Sequence, residues 1–223
     1  DESLTLIHPY DDANVILGQG TIGLELMKNL PNLDAIVVPI GGGGLISGIS
    51  VAAKNINPKL KIYGVQTEKF PTMYNSYKRS KLKVSSDTLA DGIAVKVPGE
   101  ITSPIIKKYV DDILLVDEFD IEKAVSNLFE NERVVAEGAG AAGVAAICKS
   151  PSLFKNLKVA IVICGGNIDA RVFASILNRK LSFDGRMTRV RIDIIDEPGM
   201  LARISNLIAD NGGNIIEIYH QRM

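Results

Sequence analysis

The sequence predicts an α/β fold, a mostly parallel sheet with helices on both faces, followed by a smaller unit of different pattern. Three observations carry this. Short, almost wholly apolar runs such as Ala35-Ile-Val-Val-Pro-Ile40 alternate with segments of helical spacing. Glycine turns stand between such a run and the helix after it. Past Leu181-Ser-Phe-Asp-Gly185 the apolar residues alternate with polar ones instead, as in a strand with one wet face.

Taken in order, Ala35 to Ile40 reads as a buried strand, Gly41 to Gly44 as a loop, and Leu45 to Lys54 as a helix. Lys61 to Gln66 and Ile113 to Val116 read as further strands, and Lys158 to Ile163 as a central one. Between them, Glu118 to Glu132 carries Phe119, Ala124, Val125, Leu128 and Phe129 at helical spacing. Gly138 to Cys148 is a small-residue helix suited to close packing. A second glycine turn, Cys164-Gly-Gly-Asn-Ile-Asp169, leads into a helix from Ala170 to Lys180. Strand and helix in alternation imply parallel strands covered on both sides.

Beyond the break, Thr188 to Ile195 reads as a strand, Met200 to Asp210 as an amphipathic helix with Leu201, Ile204, Leu207 and Ile208 inward, and Asn214 to Tyr219 as another strand. The expected division is therefore 1–183 and 184–223. Below ~40 residues a domain seldom buries enough surface to stand alone, so the second unit is expected to need more chain or a partner.

Composition bounds the function. The chain has 223 residues, 46% of them hydrophobic, enough for a full core. Its 25 basic and 26 acidic residues leave a net charge of -1 without single-sign blocks, so no nucleic-acid partner is expected. Two cysteines and two histidines, with no CxxC pairing, argue against a disulfide framework or a zinc site and suggest a reducing cytoplasm. No apolar run reaches the ~18 residues of a membrane span, and Asp1-Glu2 does not open a signal peptide. The first residue is not Met and both ends fall in patterned sequence, so a fragment or processed chain is expected.

Four consecutive glycines between a buried strand and a helix expose backbone N–H groups beside a helix start, where an anion such as phosphate is stabilised. The plain alternative is a structural loop. The run lacks the Gly-Lys-Ser/Thr ending of a nucleoside-triphosphate loop, and Ile46 stands where a dinucleotide loop needs its third glycine. Two glycine turns after parallel strands would share the carboxyl edge of the sheet, where open α/β folds bind ligands.

Val38-Pro-Ile-Gly-Gly-Gly-Gly-Leu-Ile-Ser-Gly48, Ala90-Asp-Gly92, Glu137-Gly-Ala-Gly-Ala141 and Cys164-Gly-Gly-Asn-Ile-Asp169 make the pattern more specific, together with His8-Pro-Tyr-Asp-Asp12 and Gly18-Gln-Gly-Thr21. In this order and spacing the chain, from about His8 to Lys180, resembles the threonine dehydratases (threonine ammonia-lyases), serine dehydratases and serine racemases. These are fold type II pyridoxal-phosphate enzymes. The resemblance implies that Gly41, Gly42, Gly43 and Gly44, with Leu45, bind the phosphate of pyridoxal 5'-phosphate. It places Cys164, with Gly165, beside the pyridine nitrogen, and Gly92 and Glu137 near the cofactor. Bland readings stand beside these: Cys164 as a small core residue, Glu137 as an acid at a helix start.

From Thr188 onward the chain resembles the first half of an ACT domain, a ferredoxin-like βαβ unit that senses amino acids. Asp196-Glu-Pro-Gly-Met-Leu201 matches its signature, which implies effector contacts from Asp196, Pro198, Gly199, Met200 and Leu201; an ordinary strand-to-helix turn is the alternative. The family's chemistry would be dehydration and deamination of L-threonine to 2-oxobutanoate and ammonia, or of L-serine to pyruvate. Serine racemase or serine dehydratase activity, and a non-catalytic amino-acid sensor, are the competing expectations. The lysine that carries the cofactor lies in a Ser-Phe-Lys motif in that family. No such motif occurs here, so no catalytic residue is assigned and this polypeptide alone is expected to be inactive. Serine racemase-like relatives hold a divalent ion with a Glu and an Asp after a strand; in the matching Gln66-Thr-Glu-Lys-Phe-Pro-Thr72 those ligand positions are not acidic, so no metal is expected. ACT modules commonly pair, which implies a dimer or tetramer.

Overall fold

The structure, a computed structural model, describes residues 7–221. Its centre is a four-stranded sheet of β1 (Ala35–Pro39), β2 (Lys61–Thr67), β3 (Asp112–Val116) and β4 (Val159–Ile161) in the order β3-β2-β1-β4. Every pairing is parallel, with Ala35 opposite both Lys61 and Val159. Ala35, Ile36, Val37 and Val38 are fully buried because both faces of the sheet are covered. Ile36 and Val38 point into one core and Val37 into the other, the two-residue period of a strand.

One face carries α1 (Ala13–Asn29), α2 (Gly44–Ile56), α3 (Thr72–Lys78) and α4 (Thr102–Tyr109), through Met27, Ile46, Ile49, Met73 and Ile106. The other carries α5 (Glu118–Asn127), α6 (Gly138–Lys149) and α7 (Ala170–Phe183), through Ile121, Val125, Ala142 and Ile176. Each buried Ile or Val is worth about 1.5 to 3 kcal/mol, so the two clusters fix which face each helix covers.

Local signals set the helix starts. Asp12 accepts from the N–H groups of Asn14 and Val15 and begins α1. Asp117 and Asp120 form a reciprocal capping box at α5, and Asp169 caps α7. Helix α5 opens into a wider π turn over Leu128–Glu132, which Arg133 ends in a left-handed conformation (φ 59).

The sheet differs from the expectation at β4. It is only three residues long and stands at the edge among the described residues, with Ile163 already 42% exposed. Its apolar sequence is that of a central strand, but only β1 pairs with it here. The tail differs too. Helix α8 (Met200–Asp210) forms, yet residues 188–195 and 214–219 join no ladder, because a strand needs a partner for its N–H and C=O groups. The face of α8 expected inward stays uncovered among the described residues, with Leu207 64% exposed. No helix among the described residues is long and apolar enough to cross a membrane.

Candidate functional site

Because β1 and β4 run parallel and pair directly, the turns that follow them emerge at the same edge of the sheet. Gln66, fully buried, anchors the first: its Nε2 donates to Ile40 O (3.2 Å) while its Oε1 accepts from Tyr74 N (2.9 Å). Gly41 to Gly43 then turn the chain into α2, with Gly43 left-handed at φ 98, a conformation that any L side chain would strain. Thr102 Oγ1 donates to Gly42 O at 2.7 Å. Among the described residues no oxygen accepts from the N–H groups of Gly41 through Leu45. Ser47 Oγ, one turn further on, is buried without a partner among the described residues.

The other side of this loop is closed. A Cβ on Gly42 would enter the ring of Tyr10, and one on Gly44 would lie 2.9 Å from the Tyr10 backbone. A Cβ on Gly43 would lie 2.8 Å from Ile106 Cδ1 and 2.9 Å from Thr102 Oγ1. Protein thus walls the loop on its Cα side and, among the described residues, leaves its amides unpaired at a helix start. That arrangement fits an anionic oxygen group.

Gly92, Glu137 and Gly165 meet beside the loop. A Cβ on Gly41 would lie 3.3 Å from Gly92 O, and one on Gly92 3.2 Å from Glu137 Oε1. The Glu137 carboxylate also sits where a Gly165 side chain would go, and Glu137 N donates to Gly165 O at 3.2 Å. Glu137 is the first residue before α6, but its carboxylate caps no N–H of that helix, so the bland helix-start role gains no hydrogen bond. Cys164 is half-buried; burial, with the Glu137 charge adding to it, pushes its thiol up from the ordinary range, so the thiol stays neutral near pH 7. The loop carrying Gly92 is held by Glu118, which accepts from Thr88 Oγ1 (2.6 Å) and Leu89 N (2.7 Å).

Gly41 to Leu45, Gly92, Glu137, Cys164 and Gly165 therefore gather at one sheet edge. Asp196, Pro198, Gly199, Met200 and Leu201 form a separate turn at the start of α8, where Gly199 is left-handed (φ 87). An open hollow of about 460 Å³ near Asp34, Asn57, Lys59 and Lys158 lies at the opposite, amino edge of the sheet. Sequence reasoning missed the parts played by Tyr10, Asp11 and Thr102. The His8-Pro-Tyr-Asp-Asp12 motif was visible, but its contact with the glycine loop is made across the fold.

The sequence profile of the family described as "Pyridoxal-phosphate dependent enzyme" matches residues 1–165. The L-threonine ammonia-lyase of Thermotoga maritima is 48% identical over 218 residues, 97% of this chain and 54% of the relative. The processed form of threonine deaminase isoform 2 from Solanum lycopersicum superposes with a TM-score of 0.73 at 34% identity, over 78% of this chain and 49% of that one. Serine racemase from Dictyostelium discoideum does so with a TM-score of 0.69 at 40% identity, over 75% of this chain and 55% of that one. The chain spans about half the length of the curated relatives it matches, at 54% of the first. With a matching profile over most of its length and the glycine turns gathered at one sheet edge, the chain belongs to the family of pyridoxal-phosphate dependent enzymes.

Proposed function

We propose that the intact protein carrying this chain is a threonine ammonia-lyase, converting L-threonine to 2-oxobutanoate and ammonia, with L-serine as a second substrate. The observation that carries this is the row of amides from Gly41 to Leu45, unpartnered among the described residues, at the carboxyl edge beside Gly92, Glu137 and Cys164. These amides, with the positive end of α2, would hold the cofactor's phosphate. When bound, the cofactor supplies an electron-accepting ring for the reacting carbon. Cys164, a neutral thiol, would face the ring nitrogen without forcing a proton onto it, and Gly165 would let the chain pass close. Gly92 leaves room where a side chain would meet Glu137. The Glu137 carboxylate, unused by the helix it precedes, would accept a proton or a hydrogen bond near the substrate. No lysine of this chain is given the role of cofactor anchor, and the chain on its own is expected to be inactive.

Residues 1–183 would form part of the cofactor-binding domain and 184–223 part of an ACT-like regulatory unit. In that unit the turn from Asp196 to Leu201 would receive an amino-acid effector at the start of α8. The intact protein would be a cytoplasmic homo-oligomer acting in isoleucine synthesis. Likeness to an L-threonine ammonia-lyase and a threonine deaminase supports the substrate.

A second reading, serine racemase or serine dehydratase, is favoured by the 40% identity to the Dictyostelium enzyme. Incubating the intact protein, with and without pyridoxal phosphate, with L-threonine or L-serine and analysing products on a chiral column separates the two. Cofactor-dependent 2-oxobutanoate as the fastest product supports the lyase. D-serine as the main product replaces it, and no product from either amino acid removes both.

A further inference from the structure

We propose that Thr102 is a positioning residue for the cofactor's phosphate, turning one peptide of the glycine loop so that its N–H faces the anion; this rests on the cofactor reading above. The peptide joining Gly42 to Gly43 is trans, since the described residues contain no cis bond. In a trans peptide the C=O and N–H point to opposite sides of one plane. Thr102 Oγ1 holds the Gly42 carbonyl at 2.7 Å, which fixes the Gly43 N–H on the side away from α4. Glycine by itself would not choose: without a Cβ, the residues around this peptide turn over at little cost, and the amide would point either way. The hydroxyl is what selects the orientation.

Thr102 is in turn held. It is fully buried, and its own N–H and those of Glu100 and Ile101 donate to the Asp11 carboxylate at 3.2, 2.8 and 2.9 Å. Burial alone would raise the Asp11 carboxyl, but those three N–H groups, with His8, outweigh it and hold it below the usual carboxylate range. Asp11 N donates to His8 Nδ1 at 2.8 Å, and the preceding residue, Tyr10, lays its ring against Gly42. The His8–Asp12 strap, the start of α4 and the glycine loop therefore form one braced unit. Removing the hydroxyl leaves the Gly42 carbonyl facing a methyl group, and the peptide loses the contact that fixes its orientation.

The test measures the affinity of the intact protein for pyridoxal phosphate and for pyridoxal, which lacks the phosphate, by equilibrium dialysis. The wild type, T102V, T102S and D11N are compared, with the ³¹P resonance of the bound cofactor as a second readout. In T102V the dissociation constant for pyridoxal phosphate rises about tenfold, the scale of one lost buried hydrogen bond, while that for pyridoxal is unchanged. The ³¹P resonance moves, T102S restores both readouts, and D11N shifts them in the same direction by less. If T102V fails to fold, T102S and D11N decide by the same ratio. A T102V protein, or failing that D11N, that prefers phosphate over its absence as strongly as the wild type overturns the positioning role. A wild type that does not itself prefer pyridoxal phosphate to pyridoxal overturns the underlying site instead, so the two failures are distinct.

Discussion

Gly140→Ala is the substitution whose sign depends most on the packing at the candidate site. In an isolated helix Ala is favoured over Gly by about 1 kcal/mol, so propensity alone predicts stabilisation. At Gly140, however, the added Cβ would lie 2.5 Å from Cys164 O and 2.7 Å from Gly165 O. Both are backbone atoms, which cannot swing aside as a side-chain tip can. Carbon and oxygen rest near 3.3 Å, so α6 or the Cys164–Gly165 turn must move by roughly half an ångström or more, an overpacking cost of about 1 to 3 kcal/mol. The two effects leave a net loss of about 0 to 2 kcal/mol in place of the stabilisation that propensity alone predicts, and the displaced turn is the one proposed to meet the cofactor ring. Gly18→Ala supplies the control, because nothing lies within 4 Å of its added Cβ and it sits inside the exposed face of α1. It is expected to stabilise by about 0.5 to 1 kcal/mol. Urea unfolding of the intact protein measures both, and dialysis against pyridoxal phosphate measures the turn. Equal stabilisation by both substitutions, with cofactor affinity intact, would show that α6 does not press on the Cys164–Gly165 turn.

The other predictions probe the charges around the sheet. Glu137→Gln changes the melting temperature little, because the carboxylate caps no helix N–H, yet lowers kcat at least tenfold if it handles a proton near substrate; a large stability loss with unchanged turnover reverses its role. Cys164 has its thiol raised by burial and by Glu137, so its contribution to stability is complete below the ordinary thiol range and is lost as pH rises toward the raised value. Alkaline unfolding of Cys164→Ser should lack that slope, and identical slopes for both proteins would contradict it. Asp111 accepts from Lys54 Nζ (2.7 Å), Lys61 Nζ (2.9 Å) and Ile62 N (2.9 Å). Burial works to raise its carboxyl, but Lys54, the Ile62 N–H and Lys61 together hold it below the usual range. Its stabilisation is therefore present above the ordinary carboxylate pKa and lost as pH falls through the depressed one. Asp111→Asn should cost about 2 to 3 kcal/mol at neutral pH and converge on the wild type in acid; a pH-independent difference contradicts the charge argument.

Much of the architecture could be read from residue patterns because it rests on local signals. Ala35 to Ile40 is apolar on both faces and became the fully buried β1; Asp169 before a helical spacing became the cap of α7. The candidate site was legible where glycine forced a choice, since four in a row tolerate few uses. What escaped was long-range. Asp11 and Thr102 lie far apart in sequence and meet only because the chain start crosses the amino end of α4. Asp11 and Asp12 are neighbours that cap two different helices, which no periodicity distinguishes. The edge position that β4 takes among the described residues is not legible in the sequence, because composition reports how apolar a strand is, not how many neighbours pair with it. The tail strands were read from alternation, which describes a face to be buried without supplying the partner.

The most direct measurement is a crystal structure of the intact protein grown with pyridoxal phosphate. Phosphate oxygens are expected within hydrogen-bond distance of the amides from Gly41 to Leu45, with Thr102 still on the Gly42 carbonyl and the ring nitrogen facing Cys164. A cofactor phosphate held elsewhere, with these amides turned to water or to protein oxygens, contradicts it.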